Sequence, residues 1–222
     1  MLTTPSPRDP DGPSGAVENA AFVLALRARG MRETSVLSAM ERVPREGFAP
    51  AAFRDLARRD LALPLACGAT MTAPIVVATM LGALKVAPGA RVLEVGTGSG
   101  YATALLVALG AASVLSLERY ATLGAAARAR LGEGGAARVV QADGLAPLDG
   151  GPFDRILVNG TVPCLAPAWI EALAPGGRLV AGLAGPGGSR LVSVERGEAG
   201  LAETLGAPFR LAPLLPGLAL VT

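Results

Sequence analysis

The stretch Glu94-Val95-Gly96-Thr97-Gly98-Ser99-Gly100 constrains this chain more than any other. It follows the apolar pair Val92-Leu93 and leads into a helix-like segment from Tyr101 to Leu109. A strand, a turn with glycine at every second position and a helix must succeed one another within a few residues. Glycine lets the backbone turn tightly and approach a ligand closely. The N–H donors and dipole at the start of the next helix favour a negative group. A nucleotide-type site is expected at such a corner of an α/β fold. The alternative is a glycine-rich turn with no ligand. Glycine weakens helices and strands, so three in one turn argue against that.

From Arg91 onward strands and helices alternate. Arg91–Val95, Ser113–Glu118, Ala137–Ala142, Phe153–Val158 and Arg178–Leu183 read as apolar strands buried on both faces. Gly100–Leu109, Tyr120–Leu131 and Ala166–Leu173 read as the intervening helices. The pattern predicts right-handed crossovers and an α/β, doubly wound, mostly parallel Rossmann-like sheet. Arg190–Glu195 and a final strand near Phe209–Leu214 predict an antiparallel edge at the C-terminus. Upstream, Ala16–Gly30, Thr34–Arg42 and Pro74 to about Leu84 read as helices. Phe22, Val23, Leu26, Val36, Leu37 and Met40 point inward, and Phe48 and Phe53 anchor this cap on the main domain. Residues 61–70 read as a loop or a short irregular hairpin. The expected organisation is a disordered tail at 1–15 and one domain over 16–222. Within it, 16–85 forms a helical cap and active-site loop, and 86–222 the core.

Ligands of such sheets bind beyond the carboxyl ends of the strands. The first strand ends in Glu94 and the glycine turn, the second in Glu118 with Arg119 beside it, the third in Asp143-Gly144, and the fourth in Asn159. A carboxylate at position 94 suits a ligand that carries a cation there and repels a pyrophosphate. S-adenosylmethionine (AdoMet), with its ammonium and sulfonium, fits better than NAD. Glu118 is placed to accept hydrogen bonds from ribose hydroxyls, and Asp143 to meet an adenine amino group. For Asp143 a solvated loop role weighs equally.

Composition excludes several classes. The chain has no histidine, which removes Ser-His-Asp and Cys-His catalysis and His-ligated metals. Cys67 and Cys164 are far apart and read as reduced thiols; no metal site is expected. No apolar run reaches the ~18 residues that span a bilayer, and the first fifteen residues lack the hydrophobic core of a signal peptide. A cytoplasmic monomer without membrane or nucleic-acid partners is expected, the net charge of +2 being too small to steer a polyanion. Arg45, Arg58 and Arg59 read as a solvated surface, or as a patch steering an acidic substrate.

With these residues in view, the chain resembles the protein-L-isoaspartate O-methyltransferases from about Ala20 to Leu214. The resemblance rests on Val43-Pro44-Arg45-Glu46-Gly47-Phe48, on Ala62-Leu63-Pro64-Leu65 with Gly68 to Pro74, and on Arg91 to Tyr101. Asp143-Gly144 and Pro175-Gly176-Gly177-Arg178-Leu179 complete it. The glycine turn is shared by many methyltransferases, whereas Ala62 to Pro74 is specific to this family. The resemblance implies AdoMet as cofactor and methylation of isoaspartyl residues in damaged proteins, the ester then collapsing to a succinimide. It implies that Thr72, standing where the family has a serine, supplies the active-site hydroxyl. Met71, Ala73 and Pro74 would cover the cofactor around it. Gly96, Thr97, Gly98, Ser99, Gly100, Tyr101, Glu118, Arg119, Asp143, Gly144 and Asn159 would form the cofactor site. From the residues alone, Thr72 fits equally as a helix N-cap before Pro74. The chain departs from the family at Ala66-Cys67, Asn159 to Pro163, Ala181 to Ala184 and Leu211 to Leu214, where a peptide would lie. A related carboxyl methyltransferase with another acceptor, or a cofactor-binding protein without turnover, therefore stays open.

Overall fold

The computed structural model describes residues 13–147 and 150–219. The expected tail lies mostly outside the described residues; Pro13 to Gly15 already belong to the first helix. Helices α1 (Pro13–Ala28) and α2 (Thr34–Arg42) form the cap, with Phe22, Leu26, Val36, Leu37 and Met40 buried. Phe48 joins it to the core, its ring 5.6 Å from that of Tyr101. Residues 61–70 close as the hairpin alternative: strands β1 (Leu63–Pro64) and β2 (Thr70–Met71) pair antiparallel. Helix α3 (Pro74–Leu84) follows, opened by a proline whose φ already suits a helix.

The core is a seven-stranded sheet. Strands β3 (Arg91–Val95), β4 (Ser113–Glu118), β5 (Ala137–Gln141), β6 (Phe153–Val162) and β7 (Leu173–Gly185) run parallel; β8 (Gly188–Gly197) and β9 (Gly200–Phe209) add the antiparallel edge. The order is β5-β4-β3-β6-β7-β8-β9. Helices α4 (Tyr101–Ala108), α5 (Ala121–Leu131) and α6 (Pro167–Glu171) lie between the parallel strands in sequence. β3 is central, with its successor β4 on one side and β6 on the other. The strand order reverses there, so the crevice of a doubly wound sheet opens at the glycine turn. Apolar side chains alternate between the two faces: Val92, Val114, Leu157 and Val180 pack with the N-terminal helices, and Leu93, Leu117, Ile156 and Leu179 with Trp169.

The last strand departs from expectation. β9 ends at Phe209, and 211–214 lies outside the sheet's named strands, touching it through a bridge between Thr161 and Pro213. β9 is exposed along most of its length and carries Gly, Pro and Glu, so it has no apolar rhythm of its own. Its register comes from the β8 hairpin.

Trp169 is fully buried, and its Nε1 donates to the Gly144 carbonyl at 2.7 Å. Gly144 itself cannot take a side chain, since a Cβ there would stand 2.2 Å from Val95 Cγ1. Gly144→Ala is expected to destabilise the fold by about 2 kcal/mol, in the range for overpacking. Urea unfolding measures this, and pairing it with Val95→Ala should restore part of the loss. An unchanged midpoint in the single variant would contradict the packing.

Candidate active site

The glycine turn leaves β3 with positive φ at each glycine: 91° at Gly96, 55° at Gly98 and 86° at Gly100. Only glycine adopts that backbone without strain. A Cβ there would also sit tightly, 3.3 Å from the Asn159 carbonyl at Gly96 and 3.3 Å from Ala127 of α5 at Gly100. The turn is tied to β4 by the N–H groups of Gly96 and Thr97, both donating to the Leu117 carbonyl.

Above the turn lies a cleft of about 860 Å³, counting its open mouth. Its lining includes the expected Gly96, Gly98, Glu118, Arg119, Gly144 and Asn159. Glu118 is 5% exposed. One carboxylate oxygen accepts from Gly98 N–H at 2.8 Å, and the other from Tyr120 N–H at 3.0 Å. A carboxylate oxygen has more than one lone-pair direction, so both retain acceptor capacity toward the cleft.

Glu94 is placed differently from expectation. It is fully buried behind the turn, outside the cleft lining. Its Oε2 accepts from Ser116 Oγ at 2.6 Å and from Thr103 Oγ1. The Ser116 hydroxyl also meets that of Thr97. Glu94 thus ties the turn, β4 and α4 together from below. Glu118 instead disfavours a pyrophosphate, since its carboxylate already occupies the Gly98 N–H.

Burial raises the Glu94 pKa from 4.5 to about 7, against the downward pull of the Ser116 and Thr103 hydrogen bonds. Its Oε1 is buried without a partner. A raised folded pKa means the folded chain holds a proton that the unfolded chain has released. The stability from this group is complete below about pH 4.5 and is lost as the pH rises through about 7. Glu94→Gln mimics the protonated form. It is expected to flatten this decline and, at pH 8, to gain about 3 kcal/mol over the parent. Urea unfolding across that window checks it; equal slopes for parent and variant would contradict it.

Thr72 sits in the loop before α3 and is 8% exposed. It does not cap the helix: Ala73 occupies the N-cap position, with no side-chain cap bond. The Thr72 hydroxyl instead donates to Asn159 Oδ1 at 3.0 Å, and Asn159 Nδ2 donates to the Gly96 carbonyl at 3.2 Å. A chain of hydrogen bonds therefore runs from the loop through the end region of β6 to the glycine turn.

The remaining expected residues fall around this frame. Met71 and Tyr101 are buried in the core beneath the cap, and Pro74 is buried at the start of α3. Ala73, Thr97, Ser99 and Gly100 stand outside the cleft lining; the Ser99 hydroxyl accepts from Tyr101 N–H. Asp143 also stands outside it. Its Oδ1 accepts from Leu145 N–H at 3.0 Å and its Oδ2 from Gly217 N–H at 2.7 Å. These two backbone donors fix the Asp143 carboxylate beside the cleft, and its neighbour Gly144 lines it.

Two further walls lie at segments where the sequence departs from the family pattern, near 66–67 and 211–214. Cys67 to Thr70, the β1–β2 turn, forms one, with Cys67 in the left-handed region at φ 59°. Ala212 to Leu215 forms the other. That segment is held by Thr161, whose N–H donates to Ala212 and whose carbonyl accepts from Leu214. Further along, Arg119 Nε donates to the Gly217 carbonyl. The apolar Leu211-Ala212-Pro213-Leu214 run also fits a strand, which is how the sequence pattern reads it. Among the described residues no group of three His, Cys, Asp or Glu is placed to hold a metal.

A family model described as protein-L-isoaspartate(D-aspartate) O-methyltransferase matches residues 17–204. Over 207 residues the chain is 46% identical to protein-L-isoaspartate O-methyltransferase 2 of Rhodopseudomonas palustris (strain HaA2), covering 91% of this chain and 94% of that protein. It is 44% identical over 195 residues to the protein-L-isoaspartate O-methyltransferase of Methylorubrum populi, covering 86% and 92%. Its fold matches a Plasmodium falciparum structure assigned to the same enzyme and solved with S-adenosyl-L-homocysteine. The TM-score is 0.77 at 20% identity, over 89% of this chain and 98% of that one. The chain belongs to the protein-L-isoaspartate O-methyltransferase family.

Proposed function

We propose that this protein transfers the AdoMet methyl group to the free carboxylate of L-isoaspartyl residues in damaged proteins. The observation that carries the reading is the Thr72–Asn159–Gly96 hydrogen-bond chain. It links the position of the family's active-site hydroxyl to the turn beneath the cofactor cleft. The family match and the names of the relatives support the same chemistry.

The residues fit the cofactor. Glu118 presents a buried carboxylate, an acceptor for paired ribose hydroxyls, and blocks the turn N–H that a pyrophosphate would need. Gly96 and Gly98 allow close approach, and Arg119, Gly144 and Asn159 complete the lining. Bound AdoMet supplies a methyl group made electrophilic by its sulfonium. The acceptor carboxylate, with a pKa of about 4, is already ionised at neutral pH and needs no general base. Positioning is then the protein's main task. The Thr72 hydroxyl has one proton, given to Asn159 Oδ1. A carboxylate is a stronger acceptor than an amide carbonyl, so the proton turns to it when the acceptor enters. One carboxylate oxygen is held in this way and the other is left to react. Met71, Ala73 and Pro74 shape the loop that carries the hydroxyl.

The reading includes a cytoplasmic monomer with no nucleic-acid or membrane partner. No helix among the described residues is long and apolar enough to cross a membrane.

Labelled-methyl transfer from AdoMet to a panel of acceptors tests the proposal. An isoaspartyl peptide should gain a base-labile ester, and its normal-aspartyl twin and small dicarboxylates should not. Transfer to another carboxylate with the isoaspartyl peptide left untouched would overturn the isoaspartyl assignment.

A further inference from the structure

Arg45 is not the solvated charge that its sequence suggests. Its side chain is 1% exposed, among the largest fully buried groups in the protein. The guanidinium donates to three backbone carbonyls: Nη1 to Ala57 at 2.5 Å, and Nη2 to Leu61 at 3.2 Å and Thr72 at 2.9 Å. Its Nε has no partner. No Asp or Glu forms an ion pair with it among the described residues. Asp60, whose charge acts on it, accepts instead from Ile75 N–H and from Arg29.

Burying an unpaired cation costs several kcal/mol, and a methionine of similar length fills such a space without that cost. A guanidinium offers what methionine cannot: a rigid fork of donors able to grip several carbonyls at once. Here the fork joins the 3-10 turn ending near Ala57, the loop before β1 and the residue that carries the active-site hydroxyl. It also leaves a positive charge without an ion-pair partner behind the Thr72 carbonyl.

We propose that Arg45 is a positioning residue for methyl transfer. Its fork holds the Thr72 backbone so that the hydroxyl meets Asn159, and its buried charge draws the anionic acceptor toward that hydroxyl. The inference rests on the carboxyl-methylation reading. The unsubstituted enzyme, assayed in parallel on an isoaspartyl peptide, reports on that reading by itself.

Two substitutions separate fork from charge. Arg45→Lys keeps the charge and loses the fork: kcat should fall about tenfold with the peptide KM within about threefold of the parent. Arg45→Met loses both: kcat should fall at least as far, and KM should rise about tenfold. Calorimetric affinity for S-adenosylhomocysteine should stay within about threefold in both, because Arg45 does not line the cleft. Parental kcat/KM in a folded Arg45→Met variant would overturn the proposal. So would cofactor affinity falling in step with kcat/KM, since Arg45 would then be holding the whole fold. If the Met variant does not fold, the Lys variant decides alone, and a folded Arg45→Lys with parental kcat refutes the fork. Failure of both to fold refutes the positioning role in favour of a purely structural one.

Discussion

Replacing Glu118 by alanine is expected to weaken S-adenosylhomocysteine binding about 100-fold, or roughly 3 kcal/mol. Two effects combine. The half-buried N–H groups of Gly98 and Tyr120 lose their acceptor, and hydrogen bonds to a charged partner are worth about 1.5–3 kcal/mol each. The cofactor also loses the carboxylate assigned to its ribose. Glu118→Gln keeps one carbonyl oxygen and should lose only about tenfold. Calorimetry on the free protein measures both. The glycine turn is anchored at Gly98 by this side chain, so the alanine variant should also lose order there, seen as faster amide exchange at Gly96 to Gly98. Parental affinity in Glu118→Ala would mean that the cleft is not where the nucleoside binds.

The second large effect is expected at Thr72. Thr72→Ala removes the hydroxyl bonded to Asn159 and should lower kcat about 100-fold, the scale of losing one donor at a reacting oxygen. Affinity for S-adenosylhomocysteine should be little changed, because Thr72 stands outside the cleft lining. Thr72→Ser restores the hydroxyl without the methyl group and should stay within about threefold of the parent. Thr72→Val keeps the shape and should behave as Ala does. The split matters more than the size of the loss. A fall in cofactor affinity equal to the fall in kcat would mean that Thr72 holds the loop rather than the acceptor. Parental kcat in the alanine variant would remove the hydroxyl from the mechanism.

The central strands were readable to the residue. Arg91–Val95 and Ser113–Glu118 were both closed by acidic or glycine-rich ends, which mark where a buried strand must stop. The hidden parts have physical reasons. Parallel strands covered on both faces give no alternation, so the direction of the Glu94 side chain was not written in β3. It is set by Ser116, its register partner on β4, and by Thr103 on α4. Helix α6 shrank to five residues because β7 begins at Leu173, pairing with Phe153 well before the apolar run that marks it. Arg45 reads as a surface charge because it follows a helix end in a polar loop. Its burial is made by Ala57, Leu61 and Thr72, which the chain brings together only when the cap closes. The outer wall of the cleft comes from Ala212 to Leu215, an apolar run that reads equally as a last strand, so its turn over the cleft is not written in its pattern.

The account stands on one event, methylation of a carboxylate chosen by its linkage to the peptide backbone. Two peptides of one composition, one joined through the side-chain carboxyl and one normally, incubated with AdoMet in separate tubes and followed by chromatography, test it most directly. The isoaspartyl peptide should disappear, with normally linked peptide accumulating through the succinimide, while the normal twin is untouched. Equal esterification of the two, or none of either with AdoMet bound, would contradict it.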